Sequence, residues 1–168
     1  GSFAIKVVEI DQTKTGRFLK NFGMIGLPRN AIREGDIVEQ EVVAEALRKL
    51  FKNLKIRNQN VAVALSGYPV MAKRVTLPHS EKEKIEATIH DQAEQYIPFD
   101  INDVNLDFDI LENEENLSEG ENANEDKSLE VMLVAAKKDV IDAYVDLLAA
   151  ADLNPGVLDV DVFALQNA

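Results

Sequence analysis

The chain has 168 residues, 46% of them apolar, a formal net charge of −12 and no cysteine. That size and composition suit one domain or two small ones around a real core. The charge argues against nucleic acid and anionic membrane surfaces, which call for clustered lysine and arginine. The missing thiols exclude disulfides, thiolate zinc sites and a cysteine nucleophile.

Residues 3–10, FAIKVVEI, are rich in β-branched side chains and predict a strand. Gly16 marks a turn before a second strand over 18–27, which Pro28 ends because proline cannot donate to a ladder. From 39 to 51, Val43, Ala46, Leu47, Leu50 and Phe51 recur at the spacing of an amphipathic helix. NVAVALSG, 60–67, is nearly all apolar and ends in glycine, which predicts a strand buried on both faces. The first 67 residues therefore read β-β-α-β.

A second rhythm starts at Tyr68. Residues 70–77, VMAKRVTL, predict a strand stopped by Pro78, and Ser80 with Glu83 forms a capping box for the next helix. That helix carries Ile85, Ile89, Ala93, Tyr96 and Ile97 on one stripe and should end at Pro98, since the residue before a proline is pushed out of the helical region. Over 104–111 the alternation is strict: Val104, Leu106, Phe108 and Ile110 face one way, Asn105, Asp107 and Asp109 the other. Residues 112–128, ENEENLSEGENANEDKS, are acidic and nearly free of apolar side chains, which predicts a surface loop. LEVMLVAA then reads as a strand, and KKDVIDAYVDLLAAADL as a helix with Val140, Ile141, Tyr144, Leu147, Leu148 and Ala151 inward. Asn154-Pro155-Gly156 reads as a turn and VLDVDV as a final strand. Residues 68–162 thus form a faint β-α-β, loop, β-α-β repeat, predicting a small sheet with both helices on one face, inserted into another domain. The chain opens directly on a strand and stops after DVFALQNA, the first turns of a helix, so a fragment is expected, with Gly1-Ser2 either native or a tag scar.

Few side chains suggest chemistry. His79 and His90 lack partners at metal-ligand spacing, and no metal site is expected. Asp107/Asp109 and Asp159/Asp161 invite a two-carboxylate reading, but alternate strand positions share the wet face, and Asp161 is also placed to cap a helix. Ser66-Gly67 lacks a nucleophile elbow around it, and no glycine-rich nucleotide motif occurs. No catalytic residue is expected. No apolar run approaches a membrane span, so no direct membrane insertion is expected either.

Between these elements lies EQYIPFD, 94–100, where Tyr96, Ile97, Pro98 and Phe99 either plug a core at a helix end or contact a partner. Its order with GSFAIKVVEI, LPRNAIREGDIVEQEVVAEALRKLF, NVAVALSGYPVMAKRVTLP, QAEQYIPFDINDVNLDFDIL and VMLVAAKKDVIDAYVDLLAAADLNPGVLDVDVFAL resembles the PilM family, actin-like and FtsA-related cytoplasmic proteins of type IV pilus assembly. The resemblance covers the chain apart from the acidic loop, and QYIPFD with VAAKK makes it specific. FtsA cell-division proteins are similar in layout but less so in these motifs.

The resemblance implies an α/β (α+β) fold: a partial actin-like, ribonuclease H-like subdomain 1A over 1–67, an inserted SHS2-type β-α-β-β-α-β subdomain 1C over 68–162, and the start of the helix returning to 1A over 163–168. It implies ATP and Mg in the full-length protein. Gly1, Ser2 and Lys6 match the second half of a D-I-G-S-like phosphate loop whose aspartate is absent here, so this fragment is expected neither to bind ATP well nor to act as an enzyme. It further implies a cytoplasmic scaffold, peripheral to the inner membrane through its partners. The short cytoplasmic N-terminal tail of the inner-membrane protein PilN would bind a groove between 1A and 1C, beside other inner-membrane pilus assembly proteins. Tyr96, Ile97, Pro98 and Phe99 are then candidates for that groove's wall or support. Alternative parents are an ATP-switching actin-like ATPase and an FtsA-like division protein. An open 1A sheet edge would also favour a homodimer.

Overall fold

The computed structural model describes residues 2–65, 67, 69–78, 82–111 and 128–166. In chain order the elements are β1 (Ala4–Thr13), β2 (Gly16–Gly26), β3 (Ile32–Arg33), β4 (Asp36–Ile37), α1 (Gln40–Leu54), β5 (Asn60–Leu65), β6 (Val70–Pro78), α2 (Lys82–Tyr96), a 3₁₀ turn (Ile101–Asp103), β7 (Val104–Leu111), β8 (Ser128–Lys137), α3 (Lys138–Ala150), β9 (Asn154–Val160) and α4 (Asp161–Gln166). They form two compact units, Gly1–Pro69 with Asp139–Ala168, and Val70–Lys138.

The first unit opens with the antiparallel β1–β2 hairpin, whose register slips between Glu9 and Ile10. Ile5, Val7, Gly23 and Ile25 lie on its more buried face. A Cβ on Gly23 would come 2.8 Å from a Leu54 methyl, so α1 packs closely over this strand position and a larger residue would push the Leu54 side chain aside. β3 and β4, too short to show a period in the sequence, make a small hairpin turned by Glu34 and Gly35, both at positive φ. This is the backbone twist that two-residue hairpin turns favour.

Helices α1 and α3 share the core. Val43, Ala44 and Leu47 cluster with Leu147, Leu148, Ala151 and Leu153, all buried. Each buried leucine stabilises the unit by roughly 1.5–3 kcal/mol. The two helices also end alike. Ile56 N–H donates to the Phe51 carbonyl and Lys55 N–H to that of Lys52. Leu153 N–H donates to Leu148 and Asp152 N–H to Ala149. In each case a non-glycine residue, Lys55 or Asp152, adopts the left-handed conformation (φ 54° and 60°) to close a Schellman cap. Arg48 then donates to the Ala150 carbonyl, satisfying a free acceptor at the end of α3.

Each helix leads into a strand, and the two strands, β5 and β9, pair in parallel. That pairing corrects the expected boundary at 162. The segment 139–160 does not complete a second β-α-β half of the inserted unit; it returns to the first, because β9 bonds to β5 and the apolar face of α3 meets α1. Three smaller expectations change with it. Asn154, Pro155 and Gly156 belong to β9 rather than to a turn, β9 ends at Val160, and Asp161 opens α4. β5 is covered on one face only, with Ala62 and Ala64 exposed.

The second unit is one helix on one sheet of order β6-β8-β7, all antiparallel. Val75 and Leu77, Val131, Leu133 and Ala135, and Val104 face Ile89, Ala93 and Ile97 of α2. Leu106, Phe108 and Ile110 are half-buried against this core while Asn105, Asp107 and Asp109 are exposed, as the alternation predicts. The capping box at Ser80 and Glu83, His79, Ser66, the His90 side chain and the acidic stretch 112–127 lie outside the described residues.

Replacing Lys55 or Asp152 by glycine removes the strain of the left-handed conformation, about 1 kcal/mol. Urea unfolding of Lys55→Gly and of Asp152→Gly should each show a higher midpoint. Tyr144 gives a test by pH. Its hydroxyl donates to the Gly35 carbonyl at 3.2 Å, and burial, with the Asp36 carboxylate second, raises its phenol above the ordinary value of about 10. The folded state therefore keeps this proton longer than the unfolded chain. Its stabilisation is complete below the unfolded value and is lost as pH rises through the folded one. The urea midpoint should fall between about pH 9 and about pH 11, and fall less in Tyr144→Phe.

Candidate functional site

In the second unit, EQYIPFD sits at the joint between α2 and β7. Ile97 is buried on the face of α2 that meets the sheet, and its N–H still donates to the Ala93 carbonyl at 3.0 Å. Pro98, exposed, cannot continue this pattern and turns the chain out of the helix. The Asp100 carboxylate accepts from Asn102 N–H at 2.9 Å and caps the 3₁₀ turn that leads into β7. The Asn102 carbonyl in turn accepts from the Lys138 ammonium at 2.8 Å.

Tyr96 and Phe99 flank Ile97, half-buried against the same core. Each ring has a lysine over it: Lys73 Nζ lies 5.6 Å from the Tyr96 centroid and Lys137 Nζ 5.1 Å from that of Phe99. Lys73 stands opposite Leu133 in the ladder, at a register position where a core residue would be expected. On the edge strand β6 its stem can cover apolar surface while the charge reaches water and the ring. Neither lysine was among the candidate residues read from the sequence. The signal was there in VMAKRVTL, where Lys73 interrupts the inward apolar series. The cluster offers two partly exposed rings, an exposed proline and two cations, fixed from beneath by Ile97.

The other candidates separate. Ser2, half-buried, and Lys6, exposed, line a cavity of about 490 Å³ in the first unit, while Gly1 lies outside the described residues. Lys6 is the one cation among the described residues lining it. Asp107 accepts from Phe108 N–H at 2.9 Å and Asp159 from Val160 N–H at 2.7 Å, each bonding its own neighbouring backbone. Among the described residues no group of three or more histidine, cysteine, aspartate or glutamate side chains is placed to hold a metal, and no helix is long and apolar enough to cross a membrane.

One α/β unit inserted into the chain of another is a mixed α/β architecture that recurs in solved structures. The cytoplasmic domain of EpsL, an inner membrane component of the type II secretion system of Vibrio cholerae, is similar with a TM-score of 0.59 and 17% identity, over 97% of this chain and 54% of that one. At that identity the likeness shows the fold alone. A chain of the PilM-PilN type IV pilus biogenesis complex is similar with a TM-score of 0.82 and 30% identity, over 98% of this chain and 46% of that one. The family of the type IV pilus assembly protein PilM matches residues 1–168, and the chain belongs to that family. It spans about half the length of the solved relatives it matches.

The burial of the cluster predicts a split in stability. Ile97→Ala should lower the urea-unfolding free energy by about 2–5 kcal/mol, as deletion of a packed core side chain does. Pro98→Ala should change it by less than about 1 kcal/mol.

Proposed function

We propose that this chain is the part of a type IV pilus assembly scaffold that receives the short cytoplasmic N-terminal tail of the inner-membrane protein PilN. The observation that carries the reading is membership of the PilM family along residues 1–168, beside the likeness to a chain of a PilM-PilN complex. The first unit is then the greater part of an actin-like subdomain 1A. The second, strand–helix–strand–strand, is the inserted SHS2-type 1C, with its end moved from 162 to 138. The protein is cytoplasmic and stands at the inner membrane through its partners.

A tail that orders on binding needs fixed apolar anchors. Tyr96, Pro98 and Phe99 are the anchors or their support in this reading, and Ile97 holds them from the core side. The chain works by contact rather than catalysis. ATP with Mg belongs to the longer protein, in which Gly1, Ser2 and Lys6 supply part of the first phosphate loop, and this chain alone holds nucleotide weakly.

The test is fluorescence anisotropy of a labelled PilN tail peptide titrated with this chain. Saturable binding is expected, weakened about tenfold or more by Phe99→Ala in a variant that still unfolds cooperatively. Binding untouched by Phe99→Ala would keep the function and move the site. Absence of binding at high concentration would overturn the reading for this chain.

A further inference from the structure

The net charge of −12 is unevenly divided along the chain. Residues 1–69 hold eleven lysines and arginines against seven carboxylates, while residues 70–168 hold seven against twenty-three. Part of the basic excess lies on the β1–β2 hairpin, where Lys14, Arg17 and Lys20 surround the turn and Asp11 is the one acid in residues 10–20. Lys20 is held by Glu9 at 3.0 Å, but Lys14 and Arg17 have no ion pair among the described residues.

Every residue from Ile10 to Lys20 is exposed, so this length of hairpin is bare on both faces. Ile10 and Leu19 are cross-strand neighbours on one face, and Phe18, opposite Asp11, lies on the other; they are 60%, 68% and 52% exposed. The turn itself is ordered. The Thr13 hydroxyl donates to the Gly16 carbonyl at 3.2 Å, and Thr15 N–H donates to Thr13 Oγ1 at 3.3 Å. A protein surface docked on this hairpin covers one face and leaves the apolar side chains of the other in water. A fluid lipid surface takes up both faces at once, with the stems of lysine and arginine along the acyl boundary and their charges at the phosphates. The hairpin also carries its turn about 15 Å beyond Glu9 and Asn21, its last half-buried pair. That distance exceeds a Debye length of about 8 Å, so repulsion between lipid phosphates and the unit's own carboxylates is largely screened.

We propose that residues 10–20 of the β1–β2 hairpin are a peripheral contact with an anionic lipid surface. Ile10, Phe18 and Leu19 enter the boundary between headgroups and acyl chains, and Lys14 and Arg17 meet the phosphates. The local charge thus reverses what the whole-chain charge implies about membranes, and it does so without a membrane span. The contact is weak, since each cation near such a surface strengthens binding by about fivefold. A contact of that size acts beside a second tether, which makes the encounter with lipid intramolecular. It does not depend on the PilN reading, which concerns residues of the other unit.

The sequence has no tryptophan, so Phe18→Trp puts a single fluorophore on the hairpin, and Val157→Trp, at an exposed position of β9, serves as control. Each 168-residue variant is titrated with vesicles of phosphatidylcholine alone and of phosphatidylcholine with about one-third phosphatidylglycerol. With the anionic vesicles only, the Phe18→Trp emission should shift to the blue and be quenched by brominated lipid, while Val157→Trp shows neither. Adding Lys14→Glu and Arg17→Glu should weaken the binding at least about tenfold at an unchanged urea midpoint. Equal shifts in both tryptophan variants, binding that the charge reversals leave intact, or no shift at millimolar lipid would overturn the proposal. So would equally tight binding of soluble poly-glutamate without a blue shift, which would give the hairpin to an acidic protein partner.

Discussion

The parallel pairing of β5 with β9 is the constraint on which the rest of the first unit depends. It is made between strands far apart in sequence, and it is set from both ends of the αβ units that supply them. The Schellman caps of α1 and α3 aim each chain into its strand, and Asn154 N–H bonds the Gln59 carbonyl at 2.8 Å where the two strands begin. With the strands in register, the helices lie side by side. Small residues at Ala44 and Ala151, both buried, leave room for Leu47, Leu147 and Leu148 to fill the core. The same pairing uses one edge of β5 and leaves the other facing β1.

Much of the local structure was legible because local periodicity carries it. The β7 alternation and the α1 stripe appear as expected, and Pro98 ends α2 for the reason its ring suggests. Which sheet a strand joins is a different kind of information. Residues 129–160 read as strand, helix, strand, and that rhythm is equally compatible with staying in the inserted unit or returning to the first one. Only the long-range ladder between β5 and β9 decides. Asn154-Pro155-Gly156 misled for a related reason. The composition is that of a turn, but β9 pairs on one side only, and an edge strand tolerates a proline, here beside a slip in register.

The candidate site was legible in position more than in role. EQYIPFD stood out in the sequence as a run of large side chains at a helix end, with core plug and contact surface both open. The structure gives the members of the motif different burial. Ile97 is buried, Tyr96 and Phe99 lie at the boundary, and Pro98 is exposed. The lysines over the two rings come from β6 and β8, and only the sheet brings them to a helix end. The break that Lys73 makes in the inward apolar series of VMAKRVTL marks the position, but no spacing in the sequence says which ring it covers.

The insertion also orders events in time. A chain leaving the ribosome at about 5–20 residues per second presents β1, β2, α1 and β5 first, then all of Val70–Lys138, before α3 and β9 follow. For roughly 4–17 seconds the apolar face of α1 has no partner helix, while the contacts of the inserted unit are all within its own segment. The unit that interrupts the fold is therefore the one equipped to fold first. The unit it interrupts must wait with Val43 and Leu47 uncovered, and that interval is its exposure to chaperones and to aggregation during synthesis.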